Sequence, residues 1–442
     1  MSIVDVPPEI LCLIFEHCIP LESHRVLPSE APLLLAQISR RWREICFGMP
    51  QLWTNVVFSE NGSIELFKLW LTRSANYPIS LCLHTSRPFR ASTFLEAAVA
   101  HRSRWREATL SLPYWTYLEL GDDAISFPGL RKLELWPNGS TWQDTDTIIN
   151  VSQAPSLASV SLNQGHGRRY SLPWTQLASL HIYGSATPSS TVDLLRACPG
   201  LLHLSHDSPI MDAQLVMEHP NPYKHEVLRS LETKNEWLLP YLTLPALKRL
   251  DMRPAGGVVE NISTDEFLPA FLARSACQLR YLYLSVNTMG QNAFANILNA
   301  TMSVEHLRLA FPNPFSQYIA MLESELVLPK LRYLEVEDWM GVGGDHYLGV
   351  LNLLIRRVPH LEACKLALYP RRWHIGPYSP RRLSAEATNG FVALADGGLL
   401  LRVLTSQRVG REGEPRQVVL VDRFPGWRED LYTVDIESSN CT

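Results

Sequence analysis

From about residue 60 onward one hydrophobic phrase returns along the chain: a Leu, two variable positions, a Leu or Val, one variable position and another apolar residue. It reads FPGLRKLELW at 127–136, APSLASVSLN at 154–163, WTQLASLHIY at 174–183 and CPGLLHLSHD at 198–207. Further copies stand at 244–252, 277–285, 303–311, 328–337 and 358–368, with a degenerate one at 228–231 and earlier ones at 105–112 and 78–83. The first apolar positions, Leu130, Leu157, Leu177, Leu201, Leu228, Leu247, Leu279, Val304, Leu331 and Leu361, lie 27, 20, 24, 27, 19, 32, 25, 27 and 30 residues apart. A phrase with period-2 alternation predicts a short strand with one apolar face. Its return at this spacing predicts stacked repeats.

Between the strands, apolar residues recur every three or four positions at 63–73, 92–101, 191–197, 265–274, 291–299 and 347–357, which predicts helices. The spacing is that of leucine-rich repeats. The expected fold class is α/β: a solenoid at 60–370 with parallel strands on the concave face and helices on the convex face, and a C-terminal cap at 371–442 built from hairpin-like pieces, one from Phe391 to Leu404. Unrelated βα units in a doubly wound sheet are the alternative. The strand pattern places Trp136, His181, Tyr183, Arg249, Arg253, Tyr281, Tyr283, His306, Arg308 and Tyr333 on the concave face, beside Lys132, Glu134, Asp251, Glu335 and Glu337. Aromatic and Arg side chains of this kind anchor interfaces, so these ten are candidate target-binding residues. Cross-strand packing alone would also favour them.

The first fifty-odd residues have a different period. Pro7 and Pro8 precede Ile10, Leu11, Ile14, Phe15 and Cys18 at helical spacing, and a second stripe runs through Leu35, Ile38, Trp42 and Ile45. Two or three helices of this length make only a small core, so the segment should lean on another surface. Val6-Pro7-Pro8-Glu9-Ile10-Leu11, Ile14-Phe15, Leu33 to Ala36, Ile38 to Ile45 and Pro50-Gln51-Leu52-Trp53 together resemble an F-box over residues 4 to 54. The whole chain is similar to fungal F-box proteins with leucine-rich tails. The resemblance implies an F-box domain at 1–56 that docks on the Skp adaptor of an SCF-type cullin-RING ubiquitin ligase. It implies that Val6, Pro7, Ile10 and Leu11 enter the adaptor groove, while Leu34, Leu35, Ile38 and Trp42 pack the helices or extend the contact. A plain helical cap on the repeats is the alternative.

Charge narrows the partners. Forty basic and 44 acidic residues give a formal net charge of −4, which supplies no electrostatic reason to expect nucleic acid or an anionic membrane. With 46% apolar and 19% charged residues the chain is too hydrophobic for disorder, and no uncharged run approaches the ~20 residues of a bilayer span. The N-terminus lacks the basic start of a signal peptide, and eight cysteines without a CxxC pair read as reduced thiols, which predicts a cytoplasmic or nuclear protein. Six N-x-S/T sequons then have no role.

No GxSxG, Walker-type, GxGxxG or HExxH pattern occurs, so no catalytic residue, metal or cofactor is expected. His206 beside Asp207 falls on a core-facing or strand-end position, and Cys46 lies in an apolar stripe. Between Arg356 and Arg382, seven basic residues (Arg356, Arg357, Lys365, Arg371, Arg372, Arg381, Arg382) face one acidic residue, Glu362. They suit either an acidic or phosphorylated target segment or a solvated surface. The expected function is a non-enzymatic target-recognition subunit of the ligase; the alternative is a leucine-rich-repeat scaffold not linked to degradation.

Overall fold

The leucines of the repeated phrase are the side chains that the fold buries. The computed structural model describes residues 6–19, 29–120, 126–138, 148–163, 169–184, 186–207, 221–234, 236–252, 264–286, 289–311, 316–338, 346–368, 384–408 and 415–422. The chain divides into two units, Met1–Leu215 and Val216–Thr442. The contacts thus part the chain inside the repeats, whereas the sequence pattern places boundaries near 56 and 370.

In the first unit, parallel strands Asn55–Ser59, Ile79–His84, Trp105–Ser111, Lys132–Leu135, Ser159–Asn163, Ser179–Tyr183 and His203–Asp207 add one after another to the same edge. Their register aligns Leu133, Val160, Leu180 and Leu204 in one row and Leu135, Leu162, Ile182 and His206 in the next. All eight are essentially inaccessible to solvent. His206 is therefore core-facing, and burial pushes its imidazole down to about 4. Helices Ile64–Arg73, Pro88–Val99 and Pro188–Ala197 supply the other layer. Ser63 and Thr187 cap the first and third of these by accepting from Leu66 N–H and Ser190 N–H.

The second unit repeats the plan with parallel strands Ser230–Thr233, Arg249–Met252, Tyr281–Ser285, His306–Phe311, Tyr333–Asp338, Ala363–Leu368 and Leu400–Arg408. Helices Thr264–Ser275, Gln291–Ala300, Ser316–Leu322, His346–Arg357 and Ala385–Asp396 lie between them. Helix C-termini leave carbonyls unpaired, and an arginine about one repeat later takes several of them. Arg104 donates to Leu71 O at 3.0 Å and to Ala75 O, Arg274 to Leu239 O at 2.9 Å and Leu242 O, and Arg357 to Leu322 O at 3.0 Å, Val327 O at 2.5 Å and Leu328 O at 3.2 Å.

The hairpin expected from Phe391 to Leu404 is instead the end of helix Ala385–Asp396 followed by a strand. Ala387, Phe391 and Ala395 repeat every four residues and are buried, and Gly397 and the left-handed Gly398 (φ 105°) turn the chain into Leu400. The strand that follows pairs in parallel with Ala363–Leu368, so the repeat plan runs into the region expected as a cap. Pro415–Asp422 closes it antiparallel. Among the described residues, no helix is long and apolar enough to cross a membrane.

Candidate functional site

The N-terminal segment forms three short helices. Pro7 is the extended cap of helix Pro8–His17, and Pro8 occupies a first-turn position where its missing N–H costs nothing. Leu11 and Phe15, four residues apart, turn inward and are fully buried, and the Phe15 ring tilts against Trp42 at 4.9 Å. Helices Leu33–Ile38 and Arg40–Phe47 part at Ser39, whose extended backbone ends one. Its hydroxyl then accepts Trp42 N–H at 3.1 Å to begin the other. Arg41 donates to the Val6 carbonyl at 2.7 Å and so ties Val6 to the third helix.

Five large aliphatic side chains remain outside among polar ones. Ile10, Leu13 and Ile14 on the first helix are 46%, 55% and 42% exposed, and Leu34 and Ile38 on the second 43% and 54%. Exposed large aliphatic side chains are the residues that a partner would cover. Of the candidate adaptor residues, Pro7, Ile10, Leu34 and Ile38 are exposed, Val6 and Trp42 half-buried and Leu35 buried in helix packing. Leu11 corrects the expectation: it lies in the interior of the segment and is not available to a groove. Leu13 and Ile14 were missed as surface residues; their spacing of three and four from Ile10 was the available signal.

The segment leans on the first repeat through tryptophan. Trp53, fully buried, meets Trp70 of helix Ile64–Arg73 edge-on at 4.6 Å and donates Nε1–H to Cys46 O at 2.9 Å. Arg73 of the same helix lies over the Phe47 ring at 3.4 Å. Burial pushes the Cys46 thiol up to about 11, which leaves it a packing residue.

The sheet face opposite the leucine rows differs between the units. In the first, Trp136 packs against Tyr183 at 4.1 Å and Tyr183 against His181 at 3.7 Å, with the Tyr183 hydroxyl 2.7 Å from His181 Nδ1. All three are half-buried, so these candidates meet in one aromatic ridge. In the second, register aligns Arg249, Tyr281, His306, Tyr333 and Ala363 in one row. Asp251, Tyr283, Arg308, Glu335, Lys365 and Arg402 form the next. Arg249 lies over Tyr281 at 3.7 Å and Arg308 over Tyr283 at 4.4 Å. His306 Nε2 is 2.8 Å from Glu335, Lys365 Nζ is 3.5 Å from the same carboxylate, and Tyr283 donates to Glu337 at 3.1 Å.

These pairings correct the view of Tyr281, Tyr283 and His306 as open anchors, because all three are buried and engaged with their neighbours. Parallel strands lie ~4.8 Å apart, close enough for long side chains in adjacent rows to cover one another. Burial pushes the Tyr281 phenol up to about 12 and moves Tyr283 further in the same direction. Burial alone would also raise Glu335, but the His306 hydrogen bond and the charges of His306, Lys365 and Arg308 outweigh it and hold the carboxyl below its usual value. Arg249, Arg308 and Tyr333 remain half-buried, and Arg253 lies outside the described residues.

The basic stretch is not one surface. Arg357 is buried against carbonyls, Arg356 pairs with Glu323 at 3.1 Å, Lys365 joins the strand network, and Arg371, Arg372, Arg381 and Arg382 lie outside the described residues. Among the described residues, no three His, Cys, Asp or Glu side chains converge as metal ligands.

Residues 3–59 match the F-box-like family model. The F-box-like segment thus coincides with the three helices, Trp53 and the first strand. Among solved structures, the chain is similar to the leucine-rich-repeat-containing protein LegL7 from Legionella pneumophila. The identity is 12% and the TM-score 0.34, over 59% of this chain and 85% of that one. The curated proteins contain no match.

Proposed function

We propose that the chain is the target-recognition subunit of an SCF-type cullin-RING ubiquitin ligase. Its F-box-like segment holds the Skp adaptor, and the open strand face holds a target protein. The observation that carries this reading is the coincidence of the family match with the exposed aliphatic side chains Ile10, Leu13, Ile14, Leu34 and Ile38. In this role the chain does no bond chemistry. Packing of Trp53 on Trp70 fixes the adaptor end to the repeats, so a bound target is held at high effective concentration near the ubiquitin-carrying subunits. Such a subunit works in the cytoplasm or nucleus.

The test is capture of the full chain by purified Skp adaptor, beside a variant carrying Ile10→Asp and Ile14→Asp. Capture that the variant loses, with its circular dichroism unchanged, supports the assignment. Absence of capture leaves a leucine-rich-repeat scaffold unconnected to degradation.

A further inference from the structure

The position after the first apolar residue of the repeated phrase is basic in five repeats, at Arg131, Arg229, Lys248, Arg280 and Arg332. In the second unit the fold gathers it into a row. Lys248 N–H donates to Arg229 O and Arg280 N–H to Lys248 O, both at 2.8 Å, and the same ladder runs on through Glu305, Arg332 and Glu362. Arg229, Lys248 and Arg280 each stand immediately before a strand, so they line the amino-terminal edge of the sheet. All three are exposed, and among the described residues none of them forms an ion pair or a side-chain hydrogen bond. The acids around them are placed otherwise. Glu226 is held by Lys224 at 2.7 Å, and Glu362 at the far end of the row by Arg332 at 3.1 Å. Glu232 and Asp251 stand side by side inside the strands, with Asp251 buried against Arg249. Glu305, half-buried beyond Arg280, is where the run of cations stops. Like charges on adjacent strands repel, and nothing among the described residues offsets that repulsion for these three.

We propose that Arg229, Lys248 and Arg280 dock a short acidic segment of the target protein and take its carboxylate or phosphate groups. This names the chemistry of the target and rests on the reading of the adjoining strand face as the target dock. Parallel strands lie ~4.8 Å apart, so the three cations span about 10 Å, which a run of about four acidic residues in extended conformation covers. Each exposed ion pair is weak, so the affinity comes from three of them fixed in register and falls as salt rises. A run of three cations that ends at Glu305, on a chain of net charge −4, suits a short acidic peptide and not a nucleic acid, whose binding draws on many phosphate contacts.

The experiment is fluorescence anisotropy of the full chain with a labelled short polyglutamate peptide, a polyglutamine of the same length, the glutamate peptide with a central phosphoserine, and a single-stranded oligothymidine. With three exposed ion pairs acting together, polyglutamate is expected to bind at least about tenfold more tightly than polyglutamine. Lys248→Glu makes the row alternate in sign and should abolish that preference without lowering thermal stability or adaptor capture, and Arg280→Glu should do the same. Lys68→Glu, the same change of charge at an exposed helix position in the first unit, should leave the preference intact. Further tightening by phosphoserine assigns the row to phosphorylated targets, and equal binding assigns it to carboxylates. The proposal is overturned by equal binding of polyglutamate and polyglutamine, by a preference that survives Lys248→Glu and Arg280→Glu, by an equal loss in Lys68→Glu, or by tighter binding of oligothymidine. Absence of adaptor capture with the polyglutamate preference intact would instead overturn the ligase assignment alone.

Discussion

Arg308 places both Nε (2.8 Å) and Nη2 (2.5 Å) on one carboxylate oxygen of Glu337, on the neighbouring strand but two positions beyond its register partner Glu335. The diagonal leaves Glu335 hydrogen-bonded to His306, with Lys365 at 3.5 Å and Arg308 Nε at 3.9 Å, so the two buried acids and three bases form one network in which Arg308 reaches both acids. Removing one member should cost more than removing both. Glu337→Gln is expected to destabilise the second unit by about 3 kcal/mol, and Arg308→Met with Glu337→Leu by less, which urea denaturation of the two variants would measure.

Two carboxyls give the stability opposite pH dependences. The folded value of Glu335 is depressed, so its contribution is present above the unfolded value of about 4.3 and is lost as pH falls through the folded one. Glu335→Gln should therefore flatten the acid limb of the unfolding curve. Burial, then the Asp265 charge, pushes Glu236 up to about 7. Its neutral form is favoured in the fold, so stability is complete below pH ~4.3 and declines as pH rises towards 7. Glu236→Gln should gain on the parent chain across that interval and hold a constant advantage above it; an equal advantage at pH 4 and pH 8 by thermal denaturation would refute this.

Arg357 is a structural cation despite lying in the basic stretch. Its guanidinium satisfies the carbonyls of Leu322, Ser324, Val327 and Leu328, and the residue is 3% exposed. Arg357→Met keeps the packing but strands those acceptors, at an expected cost of about 2–4 kcal/mol in urea denaturation. Arg356→Met, at an exposed ion pair, should cost under about 1 kcal/mol.

Trp53 joins the F-box-like segment to the repeats. Trp53→Ala removes its contact with Trp70 and the Nε1–H bond to Cys46 O, an expected loss of about 3–5 kcal/mol. Limited proteolysis should then release the N-terminal helices from a repeat core that still melts cooperatively.

The inward and outward residues of the first helix should separate in a binding assay. Leu13→Asp and Ile14→Asp are expected to leave the fold intact and lower adaptor capture at least about tenfold, whereas Leu11→Asp, at a fully buried position, should lose helical signal as well as capture. Retained capture by both surface variants would move the adaptor face away from this helix.

The strands with an L-x-L phrase were legible because period-2 alternation with a buried face is a local property of the chain. Asn55–Ser59 was not, since Val56, Val57 and Phe58 are all buried and no alternation remains to be read. The helix at Ala385–Asp396 was hidden by its Asp-Gly-Gly ending, a turn sequence that serves a helix C-terminus as readily as a hairpin. Leu11 and Ile10 are adjacent and equally apolar, and only the packing of Phe15 against Trp42 shows which face of their helix is covered.

The sequence by itself determined the period of each element, the leucine face of each repeat and the F-box-like pattern at the N-terminus, because these follow from neighbours a few residues apart. Tertiary structure decided what the opposite face offers. Tyr281, His306 and Glu335 are each on a predicted outward position, yet they come from separate repeats, and register across the sheet turned them into a buried network with its cations uppermost. Exposure of a side chain depends on what stands beside it in space, and for these residues that neighbour is about one repeat away in the chain.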